Sequence, residues 1–283
     1  MLVRNPMNRH QVNRINLSPE VVDCIVFWSK NPAGIMDRLN KLRDYSFYFQ
    51  FTITGYGQSL EPNVPSWHEA AATFRDLSEI IGKNRVIWRY DPIILSEQLN
   101  TGYHADKFDQ IARQLSGKTK RCVISFVDMY KKSKRNMSSV PIIEIHAEQM
   151  IELAAILSRI SSEYGIEMTS CAETVDLTQY GISHGKCVDD KLIEEISGLT
   201  PGVKKDPTQR PECGCVSSVD IGAYNTCPHE CLYCYANYNH NWVHRNHAAH
   251  DPQSPLLFGN IGPEDRIYVR KAASCRQAHE ELF

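Results

Sequence analysis

The chain has 283 residues, 33 acidic and 31 basic side chains and a formal net charge of -2, and 42% of it is hydrophobic. This is enough to bury a large core, and the composition excludes a disordered chain and a coiled coil. Near-neutral charge gives no electrostatic case for a nucleic-acid binder, no apolar run approaches the roughly 20 residues that span a bilayer, and the start, MLVRNPMNRHQVNRINL, lacks the apolar core of a secretory signal.

In chain order, two textures alternate over residues 1–192. Residues 21–28, 45–54, 85–90, 121–127 and 167–171 are apolar, β-branched and aromatic runs, which predict strands buried on both faces of a parallel sheet. Between them, 32–43 carries Ile35, Leu39 and Leu42 on one stripe, and 66–81 carries Ala70, Phe74, Leu77 and Ile81 at helical spacing. Ser66 and Glu69 make a capping box ahead of the second of these helices. Residues 103–115 and 146–163 have the same helical texture. This alternation predicts an α/β fold, and five or more such units favour a partial (β/α) barrel over an open sheet.

Residues 193–250 are cysteine-rich and are expected to complete the same domain. SGLTPGVKKDPTQRPECGC reads as loop, and SSVDIGAY (217–224) is a short strand candidate directly before a cysteine cluster. His240 and His244 stand one helical turn apart and offer a metal pair, but their Asn-rich surroundings predict a solvated loop. Residues 251–283 read as a weakly structured tail.

Ten cysteines without an export signal point to a reducing, cytoplasmic setting and to metal ligands or reactive groups rather than disulfides. Cys24 and Cys122 lie in apolar runs and read as core, and Cys275 stands alone. Seven cysteines fall between residues 171 and 234. Three of them form Cys227-Pro-His-Glu-Cys231-Leu-Tyr-Cys234. Thiolates at this spacing suit three irons of a cubane, leaving the fourth iron open; a zinc knot completed by His229 is the alternative. The other four, Cys171, Cys187, Cys213 and Cys215, are a full ligand set for an auxiliary 4Fe–4S cluster or for zinc, with His184 as a substitute ligand.

CPHECLYC, with an aromatic residue just before its last cysteine, resembles the signature of radical S-adenosylmethionine enzymes. The resemblance implies a partial (β/α) barrel in which Cys227, Cys231 and Cys234 bind a 4Fe–4S cluster. The open iron would take the amino and carboxylate groups of S-adenosylmethionine, with Tyr233 beside the adenine. LVRNPMN, FWSKNP, RYDPI, CAE, KDPTQR and CGC…DIGAYNTCPHECLYCYAN, spread over nearly the whole chain, resemble an uncharacterised bacterial family whose C-terminal cysteine cluster is likened to that motif. Members of that family usually carry a further N-terminal strand with paired arginines, so the resemblance predicts a shortened start here and a barrel short of closure. Spore photoproduct lyase is a more distant likeness, and the charge balance does not support its nucleic-acid substrate.

In that superfamily the motif follows the first strand, whereas here it follows most of them. The expectation is a circularly permuted barrel in which SSVDIGAY is the motif strand. Other strand ends should then face the cluster loop. Lys30 or Arg89 is expected to hold the S-adenosylmethionine carboxylate, and the turn at Gly55 and Gly57 its amino group or ribose. Asp128 is a further strand-end candidate, and Arg89 with Asp91 also reads as a structural ion pair. The function implied is cleavage of S-adenosylmethionine to a 5′-deoxyadenosyl radical acting on an unknown substrate, fed by a flavodoxin or ferredoxin. The alternatives are a non-catalytic iron–sulfur redox or sensing protein and a zinc-stabilised binding module.

Overall fold

The computed structural model describes residues 1–128, 135–138 and 140–275. An antiparallel pair, β1 (Leu2–Arg4) and β2 (Gln11–Arg14), opens the chain. Next come β3 (Ile25–Ser29), α1 (Ala33–Met36), β4 (Phe47–Thr52), α2 (Trp67–Ile81), β5 (Val86–Ile93), α3 (Thr101–Leu115), β6 (Arg121–Phe126) and α4 (Ala147–Glu163). They are followed by β7 (Glu167–Ser170), β8 (Ser183–His184), α5 (Asp190–Ser197), α6 (His240–Ala248) and β9 (Arg266–Val269). Strands β3 to β8 form one six-stranded parallel sheet whose spatial order is its chain order. The winding never reverses, as in (β/α) barrels. Among the described residues β3 and β8 are not paired with each other, so the sheet is open.

Alternation along the strands gives the sheet two different faces. Phe47, Phe49, Phe51, Trp88, Tyr90, Ile124 and Phe126 point outward, and α2, α3 and α4 cover them with Phe74, Leu77, Phe108, Ile111, Leu153 and Leu157 to make the main core. On the inner face Tyr48, Ile87 and Val123, one apolar residue from each of three neighbouring strands, meet Leu192 and Ile193 of α5. Toward the carboxyl ends that face turns polar. Gln50, Arg89 and Thr169 are buried there, and register aligns Arg89 with Val123 and Val123 with Thr169. No helix among the described residues is long and apolar enough to cross a membrane.

Local chemistry explains where elements start. The Ser66–Glu69 capping box forms as expected, and Asn100 and Asp189 cap α3 and α5 through their side chains. The helix expected over 32–43 divides into α1 and a 3-10 turn at Leu39–Leu42, because Arg38 (φ −112°) leaves the helical region.

Three expectations are corrected. SSVDIGAY forms no strand: residues 217–220 are exposed, and Asp220 Oδ1 accepts the Gly222 N–H at 2.7 Å, a local bond that bends the chain. It therefore adds no strand to the sheet. The Asn- and His-rich segment is not a loop but helix α6, started by Asn239, whose side chain accepts the Trp242 N–H at 3.0 Å. The described part of the tail is tied down: β9 pairs in parallel with β2, and Leu256 packs on Leu2 and Val12. Residues 276–283 of that tail lie outside the described residues.

One buried group makes stability depend on pH. His104, fully buried on α3, bonds Ile94 O at 2.9 Å through Nε2 and Tyr90 Oη at 2.8 Å through Nδ1. A carbonyl only accepts, so Nε2 carries the proton and Nδ1 accepts from the Tyr90 hydroxyl. Burial lowers this histidine from 6.5 to about 4. The unfolded chain then takes up the proton first, so stability falls as pH drops from 6.5 toward 4, by about 3 kcal/mol in total. Urea unfolding of His104→Gln should show that much less acid sensitivity over this window than the parent; equal slopes would assign the acid loss to other groups.

Candidate functional site

The CPHECLYC loop lies against the carboxyl ends of β3 and β4. Leu232 N–H donates to Leu60 O at 2.9 Å, and Asn63 Nδ2 donates to Pro228 O at 2.9 Å. The Tyr233 hydroxyl donates to Glu61 Oε1, which also accepts from Thr54 Oγ1 at 2.6 Å and Lys30 Nζ at 2.9 Å. Glu61 is 4% exposed, so its charge is offset by Lys30 rather than by water. The Lys30 ammonium lies 5.6 Å from the centre of the Tyr233 ring, and Tyr56 meets that ring edge to face. Asn225 closes the base of the loop: its φ is 53°, and its side chain accepts the N–H groups of Tyr238 and Asn239 at 2.9 and 3.1 Å. Asn237 Nδ2 holds Cys227 O at 2.6 Å.

Within the loop Cys227 is exposed, Cys231 buried and Cys234 half-buried. Burial pushes the Cys231 thiol up to about 12, and the Lys30 charge opposes that rise. Desolvation raises the Cys227 thiol as well, and Lys30 opposes that rise too. His229 turns Nδ1 to Asn63 O at 2.9 Å. Glu230 Oε1 lies 3.1 Å from His240 Nδ1 and 3.3 Å from His244 Nε2, ion-pair distances without an aligned hydrogen bond.

The other four cysteines gather on the inner face. Cys171 follows β7, and its sulfur is 3.2 Å from that of Cys187. Cys215 Sγ accepts the N–H groups of Cys187 and Val188 at 3.2 and 3.5 Å. Cys213, two residues before Cys215 in the same loop, is buried as well. Tyr48 Oη and Gln50 Nε2 fix the Cys187 carbonyl at 2.6 and 3.0 Å. Arg89 donates from Nη1 to Cys187 Sγ at 2.9 Å and from Nε to Asp91 at 3.1 Å. The Cys187 thiol is raised, and its proximity is the largest cause that lowers Cys215 to about 5 and Cys171 to about 7. Among the described residues no three His, Cys, Asp or Glu side chains already surround an ion-sized point.

The structure thus divides the candidates between two places. Lys30 and Tyr233 share the three-cysteine loop. Gly57 helps indirectly: its carbonyl accepts the Leu60 and Glu61 N–H groups, the turn that brings Glu61 round. Gly55 (φ +74°) faces α3 instead, where a Cβ would lie 2.5 Å from Lys107 Cγ. Arg89 sits with the four-cysteine set. Asp128 pairs with Arg210 at 2.6 Å, and His184 is exposed on β8. Sequence reasoning missed Glu61, Thr54, Gln50 and Thr169. Thr54 and Gln50 carried a signal, as polar residues inside an apolar run; Glu61 had none.

A 190 Å³ hollow lined in part by Lys83, Asn84 and Arg121 lies at the amino ends of the strands, away from both cysteine sets. No curated protein matches the chain. A family model described as "Domain of unknown function (DUF1848)" matches residues 1–236, taking in all seven clustered cysteines, and the chain belongs to that family.

Proposed function

We propose that this protein is an iron–sulfur enzyme of the radical S-adenosylmethionine type, with a 4Fe–4S cluster on Cys227, Cys231 and Cys234 and a substrate still to be identified. The observation that carries this reading is the docking of the CPHECLYC loop on the carboxyl ends of β3 and β4. Parallel sheets wound in one direction carry their chemistry at those ends. The singly wound order of β3 to β8 also supports a partial barrel.

Three cysteines at this spacing suit a cubane with one iron left open. When bound, a reduced cubane with an open iron supplies the electron that splits S-adenosylmethionine into methionine and a 5′-deoxyadenosyl radical. The chain's own residues hold and shield that chemistry. Glu61 anchors the Tyr233 hydroxyl and so fixes the ring. Lys30, paired with Glu61, adds a cation at the loop whose charge favours the thiolate forms of Cys227 and Cys231. Arg89 lies with Asp91 and Cys187 on the inner face, so Lys30, paired with Glu61 at the three-cysteine loop, is the nearer of the two to a carboxylate bound there. A flavodoxin or ferredoxin would provide the reducing electron.

The test uses the full chain, purified without oxygen, reconstituted with iron and sulfide, and reduced. The expected electron paramagnetic resonance spectrum is a cubane signal that changes when S-adenosylmethionine is added and disappears in Cys227→Ala/Cys231→Ala/Cys234→Ala. A signal indifferent to S-adenosylmethionine would assign electron transfer or sensing instead. A signal that survives the triple replacement would move the cluster elsewhere.

A further inference from the structure

We propose that Cys171, Cys187, Cys213 and Cys215 form a second metal site, a tetrathiolate that holds one zinc ion and clamps the 213–216 segment to the inner face of the sheet. The site stands on different residues from the radical reading and does not depend on it.

The fold brings Cys171, Cys187 and Cys215 together from distant points, and Cys213 stands two residues from Cys215 in the same loop. Cys171 ends the β7 run, and Cys187 lies between β8 and α5. Cys213 and Cys215 come from a loop that crosses back over them. That crossing is zipped by backbone bonds, Val216 N–H to Val188 O at 3.1 Å and Cys215 Sγ accepting two N–H groups. Gly214 between the two cysteines lets the loop lie flat, since a Cβ there would come 3.1 Å from Lys186 Cγ and 3.4 Å from Gly185 O. Backbone N–H groups aimed at a sulfur stabilise a thiolate ligand more than a neutral thiol, which accepts only weakly.

The spacing selects the occupant. At 3.2 Å the Cys171 and Cys187 sulfurs are free thiols and not a disulfide, whose bond is about 2.0 Å. They are close to the edge of a tetrahedral zinc site, about 3.8 Å for Zn–S bonds of about 2.3 Å. Zinc would displace the thiol protons to solvent and let the side chains turn outward by a few tenths of an ångström. A cubane would need the four sulfurs driven much farther apart, around eight additional atoms, within the buried space between sheet and loop.

The surroundings already suit the charge. Zinc with four thiolates carries a net charge of about -2, and a buried anion needs donors. Arg89 supplies one at 2.9 Å from Cys187 Sγ. Thr169, on the same inner face two residues before Cys171, keeps a buried hydroxyl with no hydrogen-bond partner. A buried hydroxyl without a partner is costly, and a thiolate on this face could accept its hydrogen bond.

The experiment starts from the unmodified full chain. Zinc-loaded protein is alkylated under native conditions, before and after a chelator, and each cysteine is read by mass spectrometry. Cys171, Cys187, Cys213 and Cys215 should become reactive together as zinc leaves, while the core residue Cys122 stays protected. If those four do not change on zinc removal, the site is not there. The second arm uses Cys227→Ala/Cys231→Ala/Cys234→Ala. This variant should still retain stoichiometric zinc and, with Co(II) in its place, show the visible bands of a tetrahedral tetrathiolate. If it instead takes up iron and sulfide at these four residues, or yields a disulfide between Cys171 and Cys187, the zinc assignment is overturned. Failure of the radical reading would leave both arms unaffected.

Discussion

Glu61→Ala is expected to cost about 3–5 kcal/mol of stability, the loss typical when one member of a buried ion pair is removed. Lys30 is 13% exposed and Glu61 4%, so neither has water to fall back on. The same oxygen also takes the Thr54 and Tyr233 hydroxyls, and truncation orphans both. The Lys30→Met/Glu61→Leu pair should recover most of the loss, because apolar replacement of a whole buried pair is close to neutral. Urea unfolding of the two variants measures this directly. A second readout separates structure from function: the recovered double variant should still bind a cluster through its three cysteines, yet its resonance signal should respond less to S-adenosylmethionine. If the single variant loses under about 1 kcal/mol, Glu61 is not the post that anchors the loop.

How much of this was readable in advance depends on how each residue earns its place. β4 and β6 are continuous apolar runs because both faces of the sheet are covered, and they read correctly. The capping box at Ser66 read correctly because its bonds are local. β8 is only two exposed residues, Ser183 and His184, held by register with β7, so it leaves no apolar pattern. α6 buries only Val243, which leaves too little periodicity to signal a helix. SSVDIGAY has strand-like residues, but among the described residues no strand pairs with it. Glu61 sits between Leu60 and Pro62 in a turn-rich stretch and looks like any surface acid; only the arrival of Tyr233 from 172 positions away makes it a buried anchor. The seven clustered cysteines were visible as a count and a spacing. Which of them meet, and that Arg89 joins the second set rather than the first, is set by sheet register and loop crossing.

Arg89 offers the sharpest separation of stability from metal binding. Arg89→Met should cost about 3–5 kcal/mol, since it leaves Asp91, 14% exposed, without its cation at the carboxyl end of β5. Adding Asp91→Leu removes the stranded charge and should return most of that stability. The sulfur of Cys187, however, has still lost the guanidinium that donates to it. Outer-shell donors of this kind are worth about 10–100-fold in metal affinity. The stable double variant is therefore expected to hold zinc about 10–100-fold more weakly in competition with a chromogenic chelator, while the three-cysteine loop keeps its iron. If zinc affinity instead returns together with stability, Arg89 serves the fold through Asp91 alone and its bond to Cys187 is incidental. If both stay lost, the inner face needs the arginine side chain itself, with its stem packed among Gln50, Cys187 and Asp91, and the charge is the smaller part of its contribution.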